Sequence, residues 1–429
     1  MIAAVNDPCM GLMPSSADSL IVVDGRPAPK DSACAARQPT KNEIAPAARA
    51  QSALGCKTGM QAESSSHGAG DPPGRFAPVY RVLADAIAAR AFPGCAFGVA
   101  ARGEIALQGA LGHFTYDQGA PAVTAETVYD VASLTKVVCT TAAAMLLYQR
   151  GRLDVEMPLG DLLPGFVVGR TAGDPARHVK LRHLLAHSSG LPGYVQFFRT
   201  ATSPAALMRA CLELPLEAAP GARAEYSDPG FILLGKALEV LTGEPLASWV
   251  KREVFAPLGM AATGFCPPPA ARLAIPPTEE DLSFRQRRIQ GEVQDENAWV
   301  LNGAAGHAGL FCNVPDLLRF AIEVMEAGSA AGRPRLFDPA TVASFARRQG
   351  PEDSSRALGW DTPSEHSSSG HYFSPGSIGH LGYSGCSLWI DLEAGVAVAL
   401  LTNRTWPDRK CYLIREVRPR FHDALRQAL

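Results

Sequence analysis

Two pairs of short strand-like runs, at opposite ends of the aromatic-containing part of the chain, constrain the fold most strongly. The first pair covers residues 95–101 and 104–111 and is separated by an Arg-Gly dipeptide. The second pair covers residues 387–390 and 395–402. Two strand-like runs joined by a short Gly-containing turn are typical of a β-hairpin. Since the sequence between the pairs is mostly helical in pattern, we predict an α/β (α+β) fold in which both ends of the chain build one sheet around an inserted helical lobe.

The first 75 residues lack the large side chains that a core requires. The first aromatic residue of the chain is Phe76, and eight prolines precede it. Seven basic and seven acidic residues give this stretch no net charge. Without large apolar side chains a segment cannot offset the entropy lost on ordering. We therefore predict a disordered extension over residues 1–75 and a two-lobed domain over residues 76–429.

Charge and hydropathy exclude two functional classes. The chain has 40 basic and 42 acidic residues, a balance that argues against electrostatic binding of nucleic acid. Its longest apolar run is well below the roughly 18 residues that a membrane-spanning helix needs.

Cysteine usage and the N-terminus bear on the compartment. No Lys or Arg precedes Arg26, unlike a secretory signal. The ten cysteines form no C-x-x-C pair, and Cys95, Cys139 and Cys312 lie in apolar runs typical of buried free thiols. These features favour the cytoplasm.

A candidate nucleophile lies at the start of the most apolar segment. Ser133-Leu134-Thr135-Lys136 precedes a run rich in Val, Ala, Met and Leu, which predicts a buried helix. Ser133 would lie at the helix N-terminus, where free N–H groups favour developing negative charge. Lys136 would lie one turn later on the same face. This spacing suits a serine hydroxyl that is activated by a nearby amine.

The S-x-x-K pattern is short, and the chain contains a second copy at Ser248 and Lys251. That copy lies in an amphipathic segment that ends at Pro257. We interpret it as the solvated face of a helix rather than as a second site.

Two further motifs follow the first in a telling order. Tyr226-Ser227-Asp228 lies between Pro-Gly dipeptides, and a His-Leu-Gly triplet begins at His380. The order S-x-x-K, Y-x-[N/D], [K/H]-x-G resembles the serine β-lactamase and penicillin-binding-protein superfamily. The resemblance is strongest to its class C-like branch, which includes esterases and D-amino-acid-specific peptidases. Four further segments are similar to that branch: LLAHSSGLP at 184–192, GHAGLF at 306–311, GHLGYSG at 379–385 and TNR at 402–404.

The resemblance covers about residues 77–425 and implies both a fold and a mechanism. The fold is an antiparallel sheet flanked by helices plus an all-helical lobe, with the site in the cleft between them. Ser133 would be the acylated nucleophile, and Lys136 and Tyr226 the general base and acid pair. The backbone N–H groups of Ser133 and Tyr383, the residue after Gly382, would form the oxyanion hole. Neither a cofactor nor a metal is implied.

Asp228 departs from the family pattern because Asn is common at its position. An anionic neighbour favours a charged Lys136, which cannot accept a proton. Tyr226, as a phenolate, then becomes the preferred base. The alternative is that Asp228 merely caps the helix that follows it.

The H-x-G triplet departs twice. His380 replaces the lysine of many β-lactamases and, at its usual pKa, would be partly charged at pH 7. Leu381 replaces a hydroxyl residue that helps to hold a substrate carboxylate, which weakens the case for β-lactam hydrolysis. Arg404 could supply a carboxylate contact, although a structural role is equally compatible.

Three other residue types admit simpler interpretations. His183 and His187 have the i, i+4 spacing of helical metal ligands but lack the H-E-x-x-H pattern, so we predict no metal site. His307 is interpreted as ordering a loop rather than as a catalyst. Trp360, in a Ser-, Gly- and Pro-rich stretch over 350–376 that predicts a long surface loop, could either line the cleft or pack.

The sequence thus predicts a serine hydrolase that acts through an acyl-enzyme on a small-molecule ester, an amide or a short D-peptide. Two alternatives stay open at this point. One is a true β-lactamase or D,D-carboxypeptidase, and the other is a weakly catalytic protein that binds peptidoglycan fragments or regulates.

Overall fold

The computed structural model describes residues 74–429 except residues 330, 331, 333 and 335. The predicted disorder over 1–75 therefore lies outside the described residues, apart from its last two positions. Gly74 and Arg75 form a 3₁₀ turn with Phe76. The described chain is thus already helical before the boundary predicted at residue 76.

Five antiparallel strands form the main sheet, and they come from both ends of the chain. Their spatial order is β2-β1-β10-β9-β8. The first hairpin turns through Arg102 and Gly103, whose φ angles of 55° and 80° suit a tight two-residue turn. The strands of this sheet are β1 (Gly94–Ala101), β2 (Glu104–Gly112), β8 (Ile378–Leu381), β9 (Ser387–Asp391) and β10 (Val396–Thr402). Both predicted hairpins are confirmed.

Helices cover both faces of this sheet, which explains why its central strands are apolar along their whole length. On one face α1 and α11 pack against each other, and Phe97 and Val398 point into their cluster. On the other face α9 packs against β1 and β10, near Ala96 and Ala399. The helices are α1 (Ala77–Ala88), α2 (Ala142–Gln149), α3 (Leu159–Leu162), α4 (Leu181–Leu185), α5 (Pro204–Leu212), α6 (Asp228–Thr242), α7 (Leu246–Val250), α8 (Glu296–Val300), α9 (Val314–Gly328), α10 (Pro339–Ala346) and α11 (Ile414–Gln427).

The inserted region is helical over residues 131–255 and then includes strands that the sequence did not predict. One small sheet has the order β3-β7-β4, and another pairs β5 with β6. Their strands are β3 (Tyr129–Asp130), β4 (Gly264–Phe265), β5 (Pro277–Asp281), β6 (Arg287–Gln290) and β7 (Leu310–Cys312). The mixed fold with antiparallel sheets is confirmed, whereas the whole insertion is not purely helical.

The stretch over 350–376 contains neither a helix nor a strand, but it is not wholly on the surface. Trp360 is buried and stacks on Phe320, with ring centres 6.4 Å apart. Its role is therefore packing. Cys95, Cys139 and Cys312 are buried free thiols, as predicted. Among the described residues, no helix is long and apolar enough to cross a membrane.

Candidate active site

Ser133 lies in a helix that is not α-helical at its start. A 3₁₀ turn covers Ala132–Leu134, a π-helical segment covers Lys136–Thr141, and α2 follows. Every residue from Ala132 to Leu147 is buried, as expected for a central helix. The uniform helix predicted from Ser133 is therefore wrong in detail, and π-helical turns of this kind are frequent at functional sites.

The backbone immediately before the nucleophile is strained. Ala132 has a φ of 48°, in the left-handed region that side chains with a Cβ disfavour. Its N–H donates to Oδ1 of Asp130 at 2.9 Å, and Oδ2 of Asp130 accepts the N–H of Gln294 at 2.7 Å. Burial raises the pKa of Asp130 to about 6. Asp130, which the sequence motifs did not single out, therefore helps to fix the turn that presents Ser133.

The amine of Lys136 is fully buried and has three acceptors. Nζ lies 3.1 Å from Oγ of Ser133, 2.7 Å from Oδ1 of Asp228 and 3.1 Å from the carbonyl oxygen of His307. An ammonium group has three N–H donors and no lone pair. All three donors are used in this geometry, so the arrangement suits a charged lysine that cannot take a proton from Ser133.

Asp228 does not cap α6, which corrects the alternative considered for it. Asp228 is the first residue of that helix, and Oγ of Ser227 accepts the N–H of Gly230 at 3.1 Å. Ser227 is therefore the cap. The carboxylate of Asp228 is directed to Lys136, at a helix start where negative charge is favoured.

Aromatic and cationic side chains surround the ring of Tyr226. The Lys136 amine lies 4.8 Å from the ring centre, and the imidazole centre of His187 lies 4.5 Å from it. His380 is 5.9 Å away on the same measure. The Cζ atom of Arg356 lies 5.3 Å from the ring centre. Arg356 was missed because it lies in a loop with no local motif.

His380 is neutral in this environment, so the prediction that it is partly charged at pH 7 is wrong. Burial, together with the nearby charge of Lys136, lowers its pKa well below the usual value. Nδ1 lies 2.8 Å from the carbonyl oxygen of Leu381 and, in a neutral ring, donates to it. Nε2 of His380 then carries the lone pair.

His183 and His187 direct ring nitrogens to different backbone groups. Nδ1 of His183 accepts the N–H of Lys180 at 3.1 Å, and Nδ1 of His187 accepts that of Ser227 at 3.0 Å. Burial lowers the pKa of His187 well below the usual value. Over residues 74–429, as far as they are described, no group of three His, Cys, Asp or Glu side chains is placed to hold a metal ion.

The end of β8 approaches the nucleophile turn closely. A Cβ atom at Gly382 would lie only 2.5 Å from the carbonyl oxygen of Val131. Oγ of Ser384 donates to the carbonyl oxygen of Asp130 at 2.8 Å. These contacts hold Tyr383, which lies between Gly382 and Ser384, beside the turn that contains Ser133. Only glycine permits this approach, which gives the H-x-G triplet a steric reason.

Three remaining candidates have contacts that define their surroundings. Arg404 is buried and donates to the carbonyl oxygens of Tyr383, Arg409 and Cys411, which favours its structural role. His307 contacts Oδ1 of Asp295 through Nε2 at 2.9 Å, consistent with a residue that orders its loop.

The second S-x-x-K copy is on the surface, as interpreted from the sequence. Ser248 in α7 and Lys251 just after it are both exposed. Neither has the buried surroundings of the Ser133 site.

A serine beside a buried lysine, with a tyrosine next to both and the edge of an antiparallel sheet opposite, characterises a class of serine hydrolases that form acyl-enzymes. The Beta-lactamase family model matches residues 79–418 of the chain. The chain belongs to this family and is a serine hydrolase related to β-lactamases and penicillin-binding proteins.

Individual relatives agree with this assignment. A provisionally named D-alanyl-D-alanine carboxypeptidase of Salmonella typhimurium is 32% identical over 307 residues, which cover 66% of this chain and 70% of that protein. A penicillin-binding protein homologue from Caulobacter crescentus superimposes with a TM-score of 0.66 at 19% identity, covering 84% of this chain and 99% of that one. EstCE1, a hydrolase with promiscuous acyltransferase activity, gives 0.64 at 23% identity, covering 80% and 98%.

The ion pair between Lys136 and Asp228 leads to a prediction about pH. The negative charge of Asp228 opposes ionisation of the neighbouring Tyr226 phenol, so Asp228→Asn should move the acidic limb of kcat/KM to lower pH. Lys136 should also release its proton more readily. The profile from about pH 5 to 10 measures this. Asp174→Asn is the matched control, because Asp174 only caps a surface turn through the N–H of Ala176. An unmoved limb in Asp228→Asn would remove the reason to prefer Tyr226 over Lys136 as the base.

Proposed function

We propose that this hydrolase cleaves an ester or amide through an acyl-enzyme on Ser133, with Tyr226 as the base. One observation carries the proposal: the Lys136 amine donates at once to Ser133, to Asp228 and to a backbone carbonyl. That lysine orients the serine and remains charged. The Tyr226 ring, 4.8 Å from the amine, is the neighbouring group with an acidic hydroxyl.

The proposed reaction has two steps. In the first, the Tyr226 phenolate takes the proton of Ser133, and Oγ attacks the carbonyl carbon of the substrate. The N–H groups of Ser133 and Tyr383 stabilise the oxyanion. Collapse of the tetrahedral intermediate breaks the bond to the leaving group, which receives the proton from Tyr226. In the second step, water gives a proton to the phenolate and releases the acid from Ser133.

The side chains around the site support a neutral substrate next to the scissile bond. Leu381 supplies no hydroxyl, His380 is neutral, and Arg404 is engaged with backbone carbonyls. A plain ester or amide therefore fits better than a β-lactam. The relatives named as D-alanyl-D-alanine carboxypeptidases favour a second candidate, a D,D-carboxypeptidase that acts on short peptides. The cytoplasm stays our prediction for its location.

A substrate panel tests the proposal. Short esters, D-peptides and cephalosporins should be compared by kcat/KM, and labelling by fluorophosphonate and penicillin probes should be measured in parallel. We expect ester turnover and fluorophosphonate labelling that depend on Ser133, with weaker penicillin labelling. Preferred cleavage of D-alanyl-D-alanine peptides would support the second candidate. No labelling that depends on Ser133 would contradict both and indicate a binding protein.

A further inference from the structure

Arg356 is a buried cation close to the proposed base. Its exposed fraction is 8%, close to the 9% of Ser133 and the 7% of Tyr226. Its closest acidic partner is Asp361, with Nη1 and Oδ2 separated by 3.8 Å. Within the described residues the guanidinium group makes no hydrogen bond. Because a guanidinium group carries five N–H donors, most of its bonding capacity is unused there.

The backbone on both sides of Arg356 is anchored, so its position does not depend on that ion pair alone. The N–H of Gly359 donates to the carbonyl oxygen of Leu185 in α4 at 2.9 Å. Asp361 exchanges two backbone hydrogen bonds with Gly379 in β8, at 2.8 and 2.9 Å. Gly359 has a φ of 85°, and a Cβ there would lie 2.0 Å from Oγ1 of Thr141. The loop is therefore fixed between the helical lobe and the sheet.

The charges that face Tyr226 differ in how well they are neutralised. The Lys136 amine, 4.8 Å from the ring centre, is already paired with Asp228 at 2.7 Å. His187 and His380 are neutral, because burial and the nearby cations lower the pKa of each well below its usual value. Arg356 remains as a cation without a close counter-ion.

We propose that Arg356 is a positioning residue that keeps Tyr226 in its phenolate form, supplying the second positive charge that the neutral His380 does not provide. An opposite charge within about 4–6 Å favours the ionised form of an acidic group, and burial limits the screening of that field by salt. This inference rests on the proposed function, since it concerns Tyr226 as the base.

The test compares Arg356→Met with Arg356→Lys on the best ester of the panel. Arg356→Met removes the charge, so the acidic limb of kcat/KM should move to higher pH by about one unit or more. Activity at pH 7 should fall about tenfold for each unit and recover towards the wild-type value in alkaline solution. Arg356→Lys retains the charge and should keep the limb within a few tenths of a unit of its wild-type position.

Arg348→Met is the matched control on the same loop, because Nε of Arg348 donates to Oγ1 of Thr362 and not towards Tyr226. Its limb should stay in place. Thermal unfolding of each variant separates packing from electrostatics. A lower Tm of Arg356→Met with an unmoved limb would overturn the inference.

Absorbance titration of the phenolate gives a second readout that needs no turnover. Subtracting the titration of Tyr226→Phe isolates the Tyr226 signal, which should shift to higher pH in Arg356→Met and stay near its wild-type position in Arg356→Lys. Should Arg356→Met fail to fold, a wild-type limb and titration in Arg356→Lys support the inference, and a shift of both by a unit or more overturns it. If Ser133 of the wild type is acylated while the limb of folded Arg356→Met is unmoved, this inference fails and the proposed function stands. Absence of acylation on Ser133 in the wild type would overturn the proposed function itself.

Discussion

Replacing Ser133 by alanine is expected to lower kcat on the order of 10⁶-fold, because removal of a nucleophile eliminates the covalent route. Oγ of Ser133 receives a hydrogen bond from Lys136 at 3.1 Å, so the variant loses one of the three acceptors around that amine. The other two, Asp228 and the carbonyl group of His307, remain. The fold should therefore persist while turnover disappears.

The measurement is steady-state hydrolysis, together with mass spectrometry of protein quenched during turnover. The acyl group should be found on the peptide that contains Ser133 and be absent in Ser133→Ala. Ser248→Ala is the matched control, since Ser248 has the same S-x-x-K context on an exposed helix face. It should retain wild-type activity. An adduct on any other residue would show that the nucleophile has been assigned wrongly.

The second large effect is expected for Tyr226→Phe, which should lower kcat/KM by roughly 10²–10⁴-fold, the usual range for loss of a general base. Phenylalanine preserves the ring and its contact with His187, whose centre lies 4.5 Å away. The variant thus removes the hydroxyl and little else, and Tm should change only slightly.

Single-turnover acylation at several pH values measures this effect directly. Tyr148→Phe is a suitable control, because Tyr148 packs on Phe345 in α10 and does not contact the Tyr226 ring. If Tyr226→Phe were acylated at the wild-type rate, Lys136 would have to be the base despite its pairing with Asp228.

Local patterns in the sequence predicted the features that depend on a few neighbouring residues. The Arg102-Gly103 turn needs two positive φ angles, and α1 needs only a periodic apolar stripe at Val79 and Leu83. The short strands of the insertion were missed for the same reason. β3 and β4 have two residues each, so their pairing with β7 is set by tertiary contacts rather than by periodicity.

The site shows the same division between motif and environment. Ser133, Lys136, Tyr226 and the H-x-G triplet were found by their spacing and by family resemblance. The partners that control them come from distant parts of the chain: Asp130 holds the nucleophile turn and Arg356 approaches Tyr226. The charge of His380 could not be predicted either, because its burial decides it.

The strand order of the main sheet has a consequence for how the protein forms during synthesis. Cys95 in β1 pairs with Thr402 in β10, about 300 residues later. β8, which approaches the nucleophile turn, also lies in this late segment. A nascent chain can therefore assemble much of its helical interior while the open edge of β1 still waits for its partner on the ribosome. The helical part that contains Ser133 is translated early, but the two halves of the oxyanion hole meet only when translation has passed the H-x-G triplet.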